Sequence, residues 1–98
     1  MTITALLDLT LTPEGVAEAP RVLRETLVAT RAFDGCRGVE VLIDADDETH
    51  ILLVETWDSI ESDDAYRAWR LTPAGQSELR TLLASPPRLT RFTSASDV

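Results

Sequence analysis

Apolar and polar residues alternate from Thr2 to Thr12. Ile3, Ala5, Leu7, Leu9 and Leu11 share one side, and the even positions are mostly Thr, with Asp8 the only charge. A period of two predicts a half-buried β-strand. Pro13-Glu14-Gly15 ends it. The apolar spacing then becomes helical through Val16, Ala19, Val22, Leu23, Leu27 and Phe33. Pro20 lacks a backbone donor, so the main helix is placed at about 19–32. Asp34-Gly35 marks a turn. Val39, Val41 and Ile43 restore the alternation over a strand from Cys36 to Ile43. The stretch from Asp44 to Thr49 reads as a polar hairpin loop, and His50 to Trp57 as a second, strongly apolar strand, paired with the first as an antiparallel hairpin. Ser59 or Ser62 caps a helix reaching about Leu71, with Asp63 and Asp64 in its first turn. Thr72-Pro73 opens a further helix at about 73–84, with Leu79, Leu82 and Leu83 inward. Ser85-Pro86-Pro87 stops it, Arg88 to Thr93 is a last short strand, and residues 94–98 form a frayed tail.

The order β-α-β-β-α(α)-β describes a ferredoxin-like α+β plait, an antiparallel sheet with helices on one face. The strand over 50–57 is apolar on both faces, Ile51 and Leu53 on one and Leu52 and Val54 on the other. A second apolar face calls for a cover, and the simplest is the same face of another copy, making a homodimer.

With 98 residues the chain is one domain, 1–98, and 44% apolar content suits a packed core. No apolar run approaches the ~18 residues of a membrane span, and no signal-peptide pattern is present. One cysteine, Cys36, allows neither an internal disulfide nor a multi-cysteine metal site, and fits a reducing cytoplasm. The net charge of -8 counts against nucleic acid and anionic membranes as partners. All nine basic residues are arginine, and the chain has no Asn.

Candidate chemistry concentrates in the stretch ETWDSIESDDAYRAW, which holds three of the five aromatic residues. Tyr66 and Trp69, three apart, share a helical face. Together with Trp57 they either fill the core or line a pocket, and their polar tips, which need partners when buried, favour the pocket. Asp8 and Glu55 are each a general base if they face the helices, or a paired or wet carboxylate if they do not. Arg80, on the last predicted helix, reads by itself as a solvated residue. His50 beside Asp46, Asp47 and Glu48 has metal-ligand chemistry, but a flexible acidic loop tip without supporting partners fits a solvated hairpin better. Cys36 has no base near it and reads as structural. No phosphate-binding, dinucleotide-binding, nucleophile-elbow or zinc motif occurs.

The run FDGCRGVEVLIDADDETHILLVETWDS, followed by YRAWRLTPAG and LLASPPRLTRF, resembles the antibiotic-biosynthesis monooxygenase-like family of dimeric α+β barrels. The resemblance rests on Gly35-Cys36-Arg37-Gly38, Glu55-Thr56-Trp57, Tyr66 with Trp69, Thr72-Pro73 and Pro86-Pro87. It implies a pocket between sheet and helices. In the polyketide-oxygenase branch a strand Asn, a strand-end Trp, a helix Tyr and a later Arg surround the substrate. Trp57, Tyr66 and Arg80 match three of these, while Leu53 stands where the Asn belongs. The haem-degrading branch needs an Asn this chain lacks, and a His where this chain has residues near Leu79.

The resemblance implies a cofactor-independent monooxygenase that oxidises a quinol or anthrone-like aromatic with O2. Trp57, Tyr66, Trp69 and Leu53 would contact the substrate, Arg80 would stabilise the oxyanion, and Asp8 or Glu55 would act as base. The competing readings are a non-catalytic small-molecule-binding or stress-associated protein, and a structural dimer whose cavity is filled by side chains.

Overall fold

The computed structural model describes residues 1–98. Its elements are β1 (Ile3–Thr10), a 3₁₀ turn (Pro13–Gly15), α1 (Ala19–Ala32), β2 (Cys36–Asp44), β3 (Asp47–Trp57), α2 (Ile60–Arg70), two further 3₁₀ turns (Pro73–Gly75 and Glu78–Leu82) and β4 (Arg88–Phe92). The strands form one antiparallel sheet in the order β2-β3-β1-β4. This is the expected ferredoxin-like plait. The alternation sets its faces. Ile3, Ala5 and Leu9 of β1 and Ile51, Leu53, Glu55 and Trp57 of β3 are all buried. The register sets Leu6 opposite Val54 and Asp8 opposite Leu52 on the other face.

The core divides in two. An aliphatic part gathers Leu9, Val22, Leu23, Leu27, Ile51, Leu53 and Leu79. An aromatic part holds Ile3, Ala5, Trp57 and Tyr66, with Phe33 and Trp69 against them. Phe33 makes an edge contact with Tyr66 at 5.3 Å and with Trp57 at 6.2 Å. The Trp57 and Tyr66 rings lie 4.9 Å apart. Four of the chain's five aromatic residues therefore form one cluster.

Local chemistry accounts for most boundaries. α1 starts at Ala19 with Pro20 in its first turn, where a missing N–H is harmless. Ser59 rather than Ser62 caps α2, its hydroxyl accepting from the Ser62 N–H at 3.2 Å.

Two expectations are corrected. The hairpin loop is shorter than 44–49: Asp44 already pairs with Asp47, leaving Ala45 and Asp46 as the turn. Asp44 and Asp47 accept from the N–H groups of Asp46 and Thr49, so the acidic side chains close the turn instead of extending the loop. The second correction is that no α-helix spans 73–84. The first 3₁₀ turn stops at Gly75, Gln76 is extended, and Ser77 caps a new turn. Gly75 lies so close under α2 that a Cβ there would come within 2.0 Å of the Trp69 carbonyl oxygen. This tertiary contact holds the backbone out of a continuous helix. Leu79 is still buried, and Leu82 and Leu83 still pack inward.

Candidate functional site

A cavity of about 340 Å³ opens where the two parts of the core separate, beneath α2 and the 3₁₀ turns. Its inner wall includes the buried Leu9, Leu27, Leu53, Glu55, Tyr66 and Leu79; Leu71, Gln76, Arg80, Pro87 and Leu89 are exposed and mark its mouth. The volume is at the lower end of the roughly 300–1,000 Å³ typical of small-molecule sites. A second hollow of about 500 Å³ lies between α1 and the far end of β2 and β3. It contains none of the site residues expected from the sequence, and its only carboxylate is Glu48.

Glu55 is the buried charge of the first cavity. Odd numbering on β3 turns it toward the helices, and it is 1% exposed. Its Oε1 accepts from Trp57 Nε1 at 3.1 Å and from an Arg67 Nη2 hydrogen at 2.6 Å. Oε2 makes no hydrogen bond. Because no fully buried side-chain polar atom in the protein lacks a partner, Oε2 keeps a small accessible surface, and Glu55 lines the cavity. Arg67 also donates through Nε to Asp63 at 2.9 Å, four residues back on α2. Asp63 is 0% exposed and accepts from Arg91 of β4 as well. An alternating chain of charges thus fastens α2 to the sheet behind the cavity. Buried ions need such partners, since desolvating either sign alone costs several kcal/mol.

Tyr66 is held by a second network. Its hydroxyl accepts from Arg70 Nε at 2.7 Å and lies 2.7 Å from the Thr30 hydroxyl. Arg70 also donates to the Thr30 hydroxyl at 2.8 Å and to the carbonyls of Thr26 and Gly75 at 3.0 and 3.1 Å. Its guanidinium lies over the Tyr66 and Trp69 rings at 5.1 and 4.9 Å. Tyr66 therefore presents a fixed ring wall, with its polar tip engaged inside the protein.

The cavity brings together Leu53, Glu55, Tyr66 and Arg80 from the expected site residues. It leaves out three. Trp57 is 0% exposed and its indole N–H is satisfied by Glu55, so it is core and a support for the carboxylate. Trp69 faces a separate outer groove with Thr26, Ala29 and Gln76. Asp8 lies on the opposite sheet face, 2.9 Å from His50 Nε2, which excludes it from this cavity. His50 Nδ1 lies 2.9 Å from Asp44, not against the loop acids considered from the sequence. The hydrogen bond with Asp44, followed by that with Asp8, holds the imidazole above its usual pKa. Cys36 is half-buried and burial pushes its thiol up, as suits a structural residue. Sequence reasoning missed Arg67 and Arg70. The i, i+4 spacing of Asp63 with Arg67 and of Tyr66 with Arg70 was a signal for both.

No functionally curated protein matches the sequence. Several solved structures share the fold. Rv0793 from Mycobacterium tuberculosis has a TM-score of 0.78 at 22% identity, covering 98% of this chain and 97% of its own. A mutant form of SnoaB from Streptomyces nogalater, a cofactor-independent oxygenase, has a TM-score of 0.80 at 17% identity, covering 97% and 94%. A conserved protein from Methanosarcina mazei Go1 has a TM-score of 0.78 at 17% identity, covering 94% and 91%. Residues 2–77, spanning every element from β1 through the 3₁₀ turn at Pro73–Gly75, match the family described as antibiotic biosynthesis monooxygenase, and the chain belongs to that family.

Proposed function

We propose that this protein is a cofactor-independent monooxygenase acting on a flat quinol- or anthrone-like substrate held in the cavity between α2 and the sheet. The observation that carries this reading is Glu55. It is a buried carboxylate with Oε1 fixed by Trp57 and Arg67 and Oε2 unengaged, in a cavity with otherwise mostly aliphatic walls. A fixed carboxylate with one free oxygen suits proton abstraction, because its orientation is set before the substrate arrives. Family membership and the oxygenase fold relatives support the same chemistry.

In an anthrone, Glu55 takes a proton from the methylene carbon. The carbanion reduces O2 and forms a C–O bond to it, giving a peroxide anion that recovers the proton from Glu55. Loss of water from the hydroperoxide breaks the O–O bond and the remaining C–H bond and leaves the ketone. One oxygen atom stays in the product, one leaves as water, and the substrate supplies the electrons. Arg80 on the cavity wall stabilises the developing anion, and the aliphatic walls limit water. Arg80 lies beyond the family match at residues 2–77, so its role rests on its place in this cavity.

The test is oxygen uptake by metal-free protein with dithranol and 1,4-dihydroxynaphthalene. Turnover is expected with the native chain. Glu55→Gln keeps an oxygen for Trp57 and Arg67 but removes the base, and kcat is expected to fall about 10²–10⁴-fold. Uptake no faster than the uncatalysed rate with folded native protein would sink the reading.

Leu53 favours the alternative of a binding protein without catalysis, because it places an aliphatic side chain where the oxygenase branch carries Asn. That alternative is chosen by ligand-dependent thermal stabilisation without oxygen uptake. Under either reading, the open sheet face supports association of two copies. Leu6, Leu52 and Val54 are half-buried there, and Phe92 is 49% exposed.

A further inference from the structure

The cavity wall carries three arginines and one carboxylate. Only Arg67 is answered by carboxylates, those of Glu55 and Asp63. Arg70 is half-buried and touches no carboxylate. Its hydrogen bonds all go to neutral oxygens of Tyr66, Thr26, Thr30 and Gly75, leaving one Nη1 hydrogen unused. Arg80 makes neither a hydrogen bond nor an ion pair and keeps all its donors. This lack of pairing does not come from a shortage of acid. The chain has 17 acidic residues against nine basic ones, and Arg21 alone gathers Glu18, Glu25 and Glu78.

Neutral acceptors fix a guanidinium's geometry, but its charge still lacks a counter-ion, and that deficit matters more in a partly desolvated cavity than in water. One such cation suffices for the single oxyanion formed during oxygenation. With a second on the same wall, the pair can also receive a charge the ligand brings with it, set beside the reacting oxygen.

We infer that the cavity selects an organic anion: a flat apolar ring system bearing a permanent acidic group such as a carboxylate, received by Arg80 at the mouth and Arg70 further in. The inference deepens the oxygenase reading and rests on it for the chemistry performed, while charge selection is a binding property measurable without turnover. A carboxylate matches the planar guanidinium fork and makes charge-assisted hydrogen bonds, which are stronger than neutral ones.

Calorimetry on the full chain at pH 7 compares 1-hydroxy-2-naphthoate with 2-methyl-1-naphthol, in which a methyl replaces the carboxylate. The naphthoate is expected to bind roughly tenfold tighter or more, with the margin shrinking as salt is raised. Arg80→Gln, an exposed position, is expected to remove most of the margin. Arg88→Gln, on the opposite sheet face, serves as a control for net charge and should keep it. Equal or tighter binding of the naphthol, binding of neither compound, or a margin lost equally in both variants would overturn the inference. Oxygen uptake with 1,4-dihydroxynaphthalene and 1,4-dihydroxy-2-naphthoate separates the two claims. Turnover without charge preference defeats the anion selection alone. Charge preference without turnover of either compound defeats the oxygenase reading and leaves the anion site standing.

Discussion

The Tyr66 hydroxyl is gripped by Arg70 and Thr30 at 2.7 Å each, and its ring lies 4.9 Å from that of Trp57. The phenol is therefore a structural tie between α1 and α2 as much as a cavity wall. Tyr66→Phe keeps the ring and removes the oxygen, leaving Arg70 Nε without its acceptor. Unsatisfying a buried donor costs about 1–3 kcal/mol, and because Arg70 is half-buried the loss is expected near the low end, about 1 kcal/mol, with unfolding at lower urea and an unchanged denaturant slope. An unchanged midpoint would show that water replaces the phenol oxygen without loss. Trp57 acts through its indole N–H on Glu55, and Trp69 through its face against Arg70. The need of buried polar tips for partners was legible. That Glu55 satisfies Trp57 and that Arg70 and Thr30 satisfy Tyr66, in place of a ligand, was not.

The β2–β3 hairpin carries a titratable clip. His50 on β3 bridges Asp44 on β2 and Asp8 on β1, with Arg88 of β4 opposite Asp8 in the register. These carboxylates raise the imidazole pKa above its ordinary value near 6.5. A raised folded-state pKa contributes stability that is fully present below the unfolded value and disappears as pH rises through the folded one. Asp44, lowered chiefly by His50, has the opposite sign: its contribution is present above its ordinary value and lost as pH falls further. The hairpin is thus expected to be tightest at mildly acidic pH. Thermal unfolding between pH 5 and 8 should show the native melting temperature falling above pH 6.5 more steeply than that of His50→Gln. Parallel curves would remove His50 from the account. The third helix failed for another reason. Thr72-Pro73 is a valid helix start, but the close fit of Gly75 beneath Trp69 and Arg70 breaks the backbone after one turn, and no local propensity encodes that contact.

Across the whole molecule, the helices cover one face of a four-stranded sheet and leave the other open. The open face combines apolar side chains on the central strands with Phe92 on the edge strand β4. We expect two copies to associate there. Leu52→Glu puts a carboxylate in the middle of that face without disturbing the helix side, and it should convert the protein to a monomer by analytical ultracentrifugation. A native chain that is itself monomeric at micromolar concentration would refute the association. No helix is long and apolar enough to cross a membrane.

Period-two and helical patterning decided the order of elements along the chain, the start of α1, the grouping of Ile51 with Leu53 on one side of their strand, and the α+β class. Each of these follows from local geometry and the need to bury one face. Tertiary structure alone decided which of the two candidate carboxylates meets the cavity, since the β1–β3 register pairs Glu55 with Ala5 on the helix side and Asp8 with Leu52 on the open side. It also decided which rings line the hollow and which fill the core, because that depends on how α2 seats over the sheet. The pairing of Arg67 and the lack of a carboxylate partner for Arg70 and Arg80 belong to the same class, since charge pairing across elements is a property of the assembled layers and not of any stretch of chain.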